Sequence, residues 1–320
     1  MAVHDLTFPS SNSRDEMHAW LHTPVAERCR GLVQLAHGFG EHSRRYLPLV
    51  VALNDAGYAV AMDDHVGHGK TAAANDSWGR SGTDTYDVFV DDEKKLREIA
   101  QSLVPDVPYL VFGHSWGSMI MREFVAEDGP GIAGAVFCGT TGMMNEAGRA
   151  RELAAARVRS DGSEAVDSEG MALLLGSFLS RYGKDANPLD WVSGDATVLA
   201  DYASDPFNLG ERAVTAGFTA AFCDLYARVD SPEWAHRIPR ETSVFLIAGD
   251  QDPVGGFGAG VYQVANWLAD GGHPDVSTRV WTGIRHEIHN QPELRDEVFA
   301  EVVRFFDRVT ESVEAQGFTH

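Results

Sequence analysis

Cysteine is scarce in this chain: Cys29, Cys138 and Cys223 are the three in 320 residues, an odd count at wide spacing. That excludes a disulfide framework, and without a C-x-x-C pair the thiols offer no metal site. A reducing, cytoplasmic setting is expected. Positive charge is scarce too. The 26 basic side chains face 47 acidic ones, leaving a formal charge of −21. A phosphate backbone needs clustered Lys and Arg, so no nucleic-acid partner is expected. The same balance disfavours broad adhesion to anionic membranes. No apolar run approaches the ~20 residues that span a bilayer. Met1–Asp5 has no basic start followed by an apolar stretch, so no signal peptide is expected. Internal repeats and low-complexity tracts are missing as well.

What is present suffices for a substantial core, since 44% of the residues are hydrophobic. Short strands are predicted around Asp5–Phe8 and Met17–His22, then at 31–36, Tyr58–Met62, Tyr109–Phe112 and Ala133–Cys138. Helical patterns at Arg45–Ala56, Tyr86–Leu103 and Trp116–Glu127 alternate with them. From residue 142 to 240 the pattern turns helical, with stretches at Ala147–Val158, Met171–Tyr182 and Glu211–Val229 and no strand series. Alternation resumes with strands at Val244–Ala248 and Ser277–Trp281 and helices at Gly260–Ala269 and Glu293–Val309. Strands alternating with helices predict an α/β fold: a mostly parallel sheet covered on both faces. Three units are expected: core residues 1–141, an inserted helical cap 142–240, and core residues 241–320. Reactive side chains then belong at the carboxyl ends of the strands, under the cap.

Gly113-His114-Ser115-Trp116-Gly117 follows one of those strands and opens a helix. G-x-S-x-G in that setting exposes a serine Oγ on a sharp turn and aims backbone N–H groups at the reaction centre. Asp250 and Asp252 follow the Val244 strand, and His286 follows the Ser277 strand. Serine, acid, histidine is the α/β-hydrolase chain order. Ser115 is expected to attack a carbonyl, His286 to move the proton, and an aspartate to fix the imidazole. Asp252, next to Pro253, is favoured as that acid, with Asp250 as a turn residue. Oxyanion donors are expected at the backbone N–H of Trp116 and of Phe39, within His37-Gly38-Phe39-Gly40.

With these residues in place the chain resembles the monoacylglycerol lipase and lysophospholipase group of α/β-hydrolases, the serine aminopeptidase-like branch. The resemblance rests on 37–42 (His-Gly-Phe-Gly-Glu-His) with Arg45-Tyr46, on 64–70 (Asp-His-Val-Gly-His-Gly-Lys), and on Gly113–Ser118. Asp205-Pro206, 249–254 (Gly-Asp-Gln-Asp-Pro-Val) and 285–290 (Arg-His-Glu-Ile-His-Asn) continue it. The chain departs from the group at Trp116, Ser118, Val66 and His289, where methionine, glycine, arginine and a leucine-like residue are usual. The resemblance implies a serine hydrolase of carboxylic esters acting on a small-molecule acyl ester, with no metal and no organic cofactor. A hydrolase-fold protein that binds a ligand without turnover is the alternative class, and intact Ser115, Asp252 and His286 favour the enzyme.

Apolar side chains are candidates for an acyl site: Met119 after the serine, Met143 and Met144 after a strand, and Leu175, Phe178 and Leu179 in the cap. A stripe at helical spacing equally describes ordinary cap packing, and the cap could touch lipid transiently. Asp63-Asp64-His65 with His68 looks like a metal cluster, but it reads as a polar, glycine-rich loop at a strand end, which the resemblance accounts for without metal, and no further clustered ligand set supports it, so metal is not expected. His286-Glu287-Ile288-His289 is one residue short of H-E-x-x-H. Oligomeric state is left open.

Overall fold

The computed structural model describes residues 2–26 and 28–315. The outer ends of the first and last expected units, and Met1 of the N-terminal reading, lie outside the described residues. In chain order the elements are β1 (Ala2–Pro9), β2 (Glu16–Thr23), β3 (Gly31–Ala36), α1 (Leu47–Asp55), β4 (Tyr58–Asp64), α2 (Gly69–Asn75) and α3 (Asp87–Leu103). There follow β5 (Tyr109–His114), α4 (Trp116–Asp128) and β6 (Ile132–Cys138), then α5 (Ala147–Asp161), α6 (Gly170–Ser177), α7 (Ala196–Ser204), α8 (Ala216–Val229) and α9 (Pro232–Ala235). The chain closes with β7 (Ser243–Gly249), α10 (Ala259–Asp270), β8 (Val276–Trp281) and α11 (Arg295–Ala315).

All eight strands join one sheet in the order β1-β2-β4-β3-β5-β6-β7-β8. β1 and β2 pair antiparallel, β2 meets β4 antiparallel, and β3 through β8 run parallel. Strands β3, β4, β5 and β6 are buried along their whole length, which is why they read as continuous apolar runs. Successive side chains serve opposite faces. Leu32 and Val111 join a core that includes α3, α4 and α10, while Val33, Leu110 and Phe112 join a second core with α1 and α11. The sheet is thus covered on both sides, and β3, β5, β6, β7 and β8 deliver their carboxyl ends to one edge.

The helical excursion between β6 and β7 packs through α8 onto α4 and through α5 onto α8. Arg122, fully buried on α4, stitches it down: its guanidinium donates to Thr141 O at 3.0 Å and to Val229 O at 2.6 Å. Its backbone oxygen accepts from Trp234 Nε1 at 2.8 Å. Helix α8 starts at Ala216 rather than at Glu211, because Thr215 Oγ1 accepts the Phe218 N–H and caps it. Helix α6 ends at Ser177, short of the expected Tyr182, and turns carry the chain onward. The sequence reading passed over α2, α7 and α9, which are nine residues or fewer and bury few side chains.

Candidate functional site

Ser115 sits between β5 and α4 with φ 54° and ψ −121°, a backbone conformation rare for a side-chain-bearing residue. Its N–H donates to Cys138 O at 2.9 Å, which ties the turn to the end of β6. The flanking glycines are needed for space. A Cβ on Gly113 would lie 2.5 Å from Gly117 O, and one on Gly117 would lie 2.4 Å from both Ala36 O and His37 O. Helix α4 therefore starts in backbone contact with the end of β3.

Asp252 and His286 meet from the ends of β7 and β8. His286 Nδ1 lies 2.8 Å from Asp252 Oδ2, and Asp252 Oδ1 accepts the Val254 N–H at 2.9 Å. Asp250, by contrast, faces the turn after β8 and accepts the Gly283 N–H at 2.7 Å. Burial works against charge on His286, but the Asp252 carboxylate outweighs it and raises the pKa above the ordinary 6.5. Serine and imidazole flank the same peptide: Ser115 is bonded to Cys138 O, and a Cβ on the adjacent Gly139 (φ +55°) would lie 3.1 Å from His286 Cε1.

The loop after β3 runs over the serine. A Cβ on Gly38 would come within 3.2 Å of Ser115 Cβ and 2.7 Å of Glu41 Oε1. The N–H groups of Phe39 and Trp116 have no hydrogen-bond partner among the described residues. Glu41, buried, holds the loop: its carboxylate accepts from Gly38 N at 2.8 Å, Tyr46 OH at 2.6 Å and Arg45 Nη1 at 2.5 Å. Arg45 also reaches Glu287 at 2.6 and 2.9 Å, joining the loop to the segment after His286. His42 Nε2 meets Asp205 Oδ2 of the excursion at 2.9 Å. A cleft of about 510 Å³ lies beside this network, lined by His42, Arg45, Asp205 and Asn290 and not by Ser115.

The acyl-site candidates do not form one group. Met119 is fully buried in the core on α4, and Met144 is buried with its N–H on Tyr226 OH at 2.8 Å. Met143 is 48% exposed beside the Gly256 turn. Leu175 and Leu179 are half-buried. Phe178 does approach the site: its ring stands 5.0 Å from Trp191, whose ring is 5.0 Å from His286. Trp191 was not foreseen, because it lies in a stretch of turns with no periodicity. The Trp116 side chain points away into an aromatic cluster with His68, Phe89 and Phe218, at centroid distances of 5.0, 4.9 and 5.4 Å. The metal-like residues after β4 are dispersed in use. Asp64 binds Ser43 Oγ at 2.6 Å and Lys70 N at 2.6 Å, and His68 Nδ1 faces Val66 O at 3.1 Å. Asp63 and His65 lie instead with Glu93, their ligand atoms within 4.8 Å of one another.

The sheet order, the turn at Ser115 and the carboxylate–imidazole pair define a hydrolase of the α/β-hydrolase class. A family model described as serine aminopeptidase, S33, matches residues 27–293, and the chain belongs to that family. The chain is 29% identical over 269 residues to a monoacylglycerol lipase of Mycolicibacterium smegmatis, covering 83% of this chain and 84% of that one. It is 26% identical over 276 residues to human monoglyceride lipase, covering 85% and 81%. Among solved structures, a thermostable carboxyl esterase from Bacillus coagulans matches with TM-score 0.94 and 41% identity, over 97% of this chain and 99% of that one. A lipase in an open form matches with TM-score 0.91 and 35% identity over the same shares. The chain is a serine ester hydrolase of the α/β-hydrolase type.

Proposed function

We propose that this enzyme hydrolyses lipid-like carboxylic esters, monoacylglycerols or lysophospholipids, through an acyl-enzyme on Ser115. Ser115 Oγ attacks the ester carbonyl while His286 Nε2 takes its proton. Asp252 keeps the Nδ1–H tautomer and stabilises the imidazolium. The N–H groups of Phe39 and Trp116 receive the oxyanion. His286 returns the proton to the departing alcohol, then activates a water that releases the fatty acid. The observation that carries this reading is the 2.8 Å Asp252–His286 contact beside the constrained Ser115 turn. The lipid preference draws on the names of the relatives and on Phe178 and Trp191 beside His286. Residues 142–240 act as a cap over the strand ends, and a cytoplasmic setting fits the three free cysteines.

No helix of the described residues is long and apolar enough to cross a membrane. Among those residues, the cap exposes Met143 and Val166 as large hydrophobics, so any lipid contact in this conformation is small. The test is a fluorophosphonate probe with a substrate panel. Ser115 alone should be labelled, and Ser115→Ala should abolish turnover of monoacylglycerols, lysophospholipids and p-nitrophenyl esters alike. A profile restricted to short acyl chains would remove the lipid preference and leave the esterase. Full activity in Ser115→Ala would remove the mechanism.

A further inference from the structure

Beneath the Gly38–Phe39 peptide lies a buried histidine pair that the proposed reaction does not consume. The His65 backbone N–H donates to His37 Nε2 at 3.0 Å, so that ring nitrogen is an acceptor and carries no proton. The proton of the neutral ring is then on Nδ1, which donates to Gly38 O at 2.8 Å. In a trans peptide the C=O and the following N–H point to opposite sides, and no cis peptide occurs among the described residues. Tethering Gly38 O to His37 thereby fixes the direction of the Phe39 N–H.

His65 is itself held on every side. Its Nδ1 lies 3.2 Å from Asp63 Oδ1 and 3.1 Å from Glu93 Oε1. Its Nε2 lies 3.2 Å from His37 O, and its ring stacks on His37 with centroids 4.0 Å apart. Nε2 is within hydrogen-bond range of His37 O and Nδ1 is within ion-pair range of two carboxylates, an arrangement that favours the imidazolium. Burial opposes that charge, and Asp63 and Glu93 overcome it. Burial and the neighbouring positive ring both keep His37 neutral. Gln34 donates to the Glu93 backbone oxygen at 3.0 Å and to its carboxylate, which anchors the acid in turn. Burying an imidazolium beside two acids is costly, and burial together with the Asp63 charge pushes Glu93 up to about 7. Tying two adjacent strand ends together would not require it, since backbone bonds suffice.

We infer that His65, clamped by Asp63 and Glu93, and His37 are positioning residues that aim the Phe39 N–H at the oxyanion through the Gly38 carbonyl. This inference rests on the reading of Phe39 as an oxyanion donor. A bond to the carbonyl also polarises the peptide and strengthens its N–H as a donor. The pair touches no substrate; it acts through the peptide.

Two measurements on the full chain test it. Imidazole ¹⁵N NMR of the wild type should find His65 protonated on both nitrogens at neutral pH and His37 neutral with the proton on Nδ1. A neutral His65, or a His37 protonated on Nε2, overturns the inference, and this measurement needs no variant to fold. Kinetically, His37→Ala should lower kcat on the order of 10- to 100-fold with KM little changed. His37→Asn, whose side-chain amide replaces the Nδ1 donor, should recover most of that loss. His65→Gln, which keeps a donor for His37 O but no charge, should fall between. A His37→Ala enzyme with wild-type kcat, a loss carried by KM, or an equal loss in His37→Asn overturns it. Failure of the parent reading looks different: the wild type would not be labelled at Ser115 by fluorophosphonate, while the tautomers would stand unchanged.

Discussion

At the scale of single residues, the consequential balance is at His286. A general base must be neutral, and Asp252 raises the His286 pKa above 6.5 against the effect of burial. Activity should therefore appear as pH rises through a value above 6.5. The sign for stability is opposite. A raised folded-state pKa contributes stability that is complete below the unfolded value and is lost as pH rises through the folded one. The enzyme works where this contribution is fading. Asp252→Asn should move the acid limb of kcat/KM to lower pH, because the strongest opposition to burial is removed and only the weaker pull of Glu287 and Glu41 remains. It should also lower kcat on the order of 10³- to 10⁴-fold. A pH–rate profile for the variant with an unmoved limb would separate Asp252 from His286. The sequence favoured Asp252 over Asp250 only by its place beside Pro253, because the two share one loop; which carboxylate reaches across to β8 is a matter of side-chain direction.

At the scale of elements, the site is where β3, α4 and the excursion touch. Gly117 allows the first turn of α4 to press on the end of β3. Gly117→Ala must push those backbones apart, with a cost of about 1–3 kcal/mol, read as a lower urea midpoint. Because β3 leads into the loop of Phe39, kcat should fall as well. The excursion contributes through residues 182–193. Tyr182 OH donates to Gln251 O at 2.5 Å, and Arg285 Nη1 donates to Ser193 O at 2.8 Å. Glu287 N–H reaches Val192 O at 2.9 Å. This segment brackets both the Asp252 and the His286 loops, and Trp191 is its contact with the imidazole. Trp191→Ala should lower kcat/KM by about tenfold for long-chain esters and less for acetyl esters. Equal losses across chain lengths would take Trp191 out of the acyl path. None of this was visible beforehand, since turns joined by backbone hydrogen bonds leave no hydrophobic period.

At the scale of the whole molecule, charge governs encounter. With a formal charge of −21, the enzyme should hydrolyse a monoacylglycerol more slowly in anionic vesicles than in zwitterionic ones. The difference should shrink as salt rises, because the screening length falls from about 30 Å at 0.01 M to about 10 Å at 0.1 M. Rates indifferent to vesicle charge at low salt would show that the approach is governed by local apolar contact instead.

The sequence by itself determined the sheet and its chemistry-bearing ends. Strands buried on both faces must be continuous apolar runs, and a serine turn needs glycine on both sides, so both are written in local composition. Ser115, Asp252 and His286 could be proposed from the sequence because each follows such a run. Only the tertiary structure decided what surrounds them. The buried network of Glu41, Arg45 and Glu287 joins residues more than 240 positions apart, and His65, in the loop after β4, is held charged by Asp63 and by Glu93 of α3. Trp191 meets His286 from a segment without regular structure. Contacts of that kind depend on which side chains the packed sheet brings face to face, and no local pattern records them.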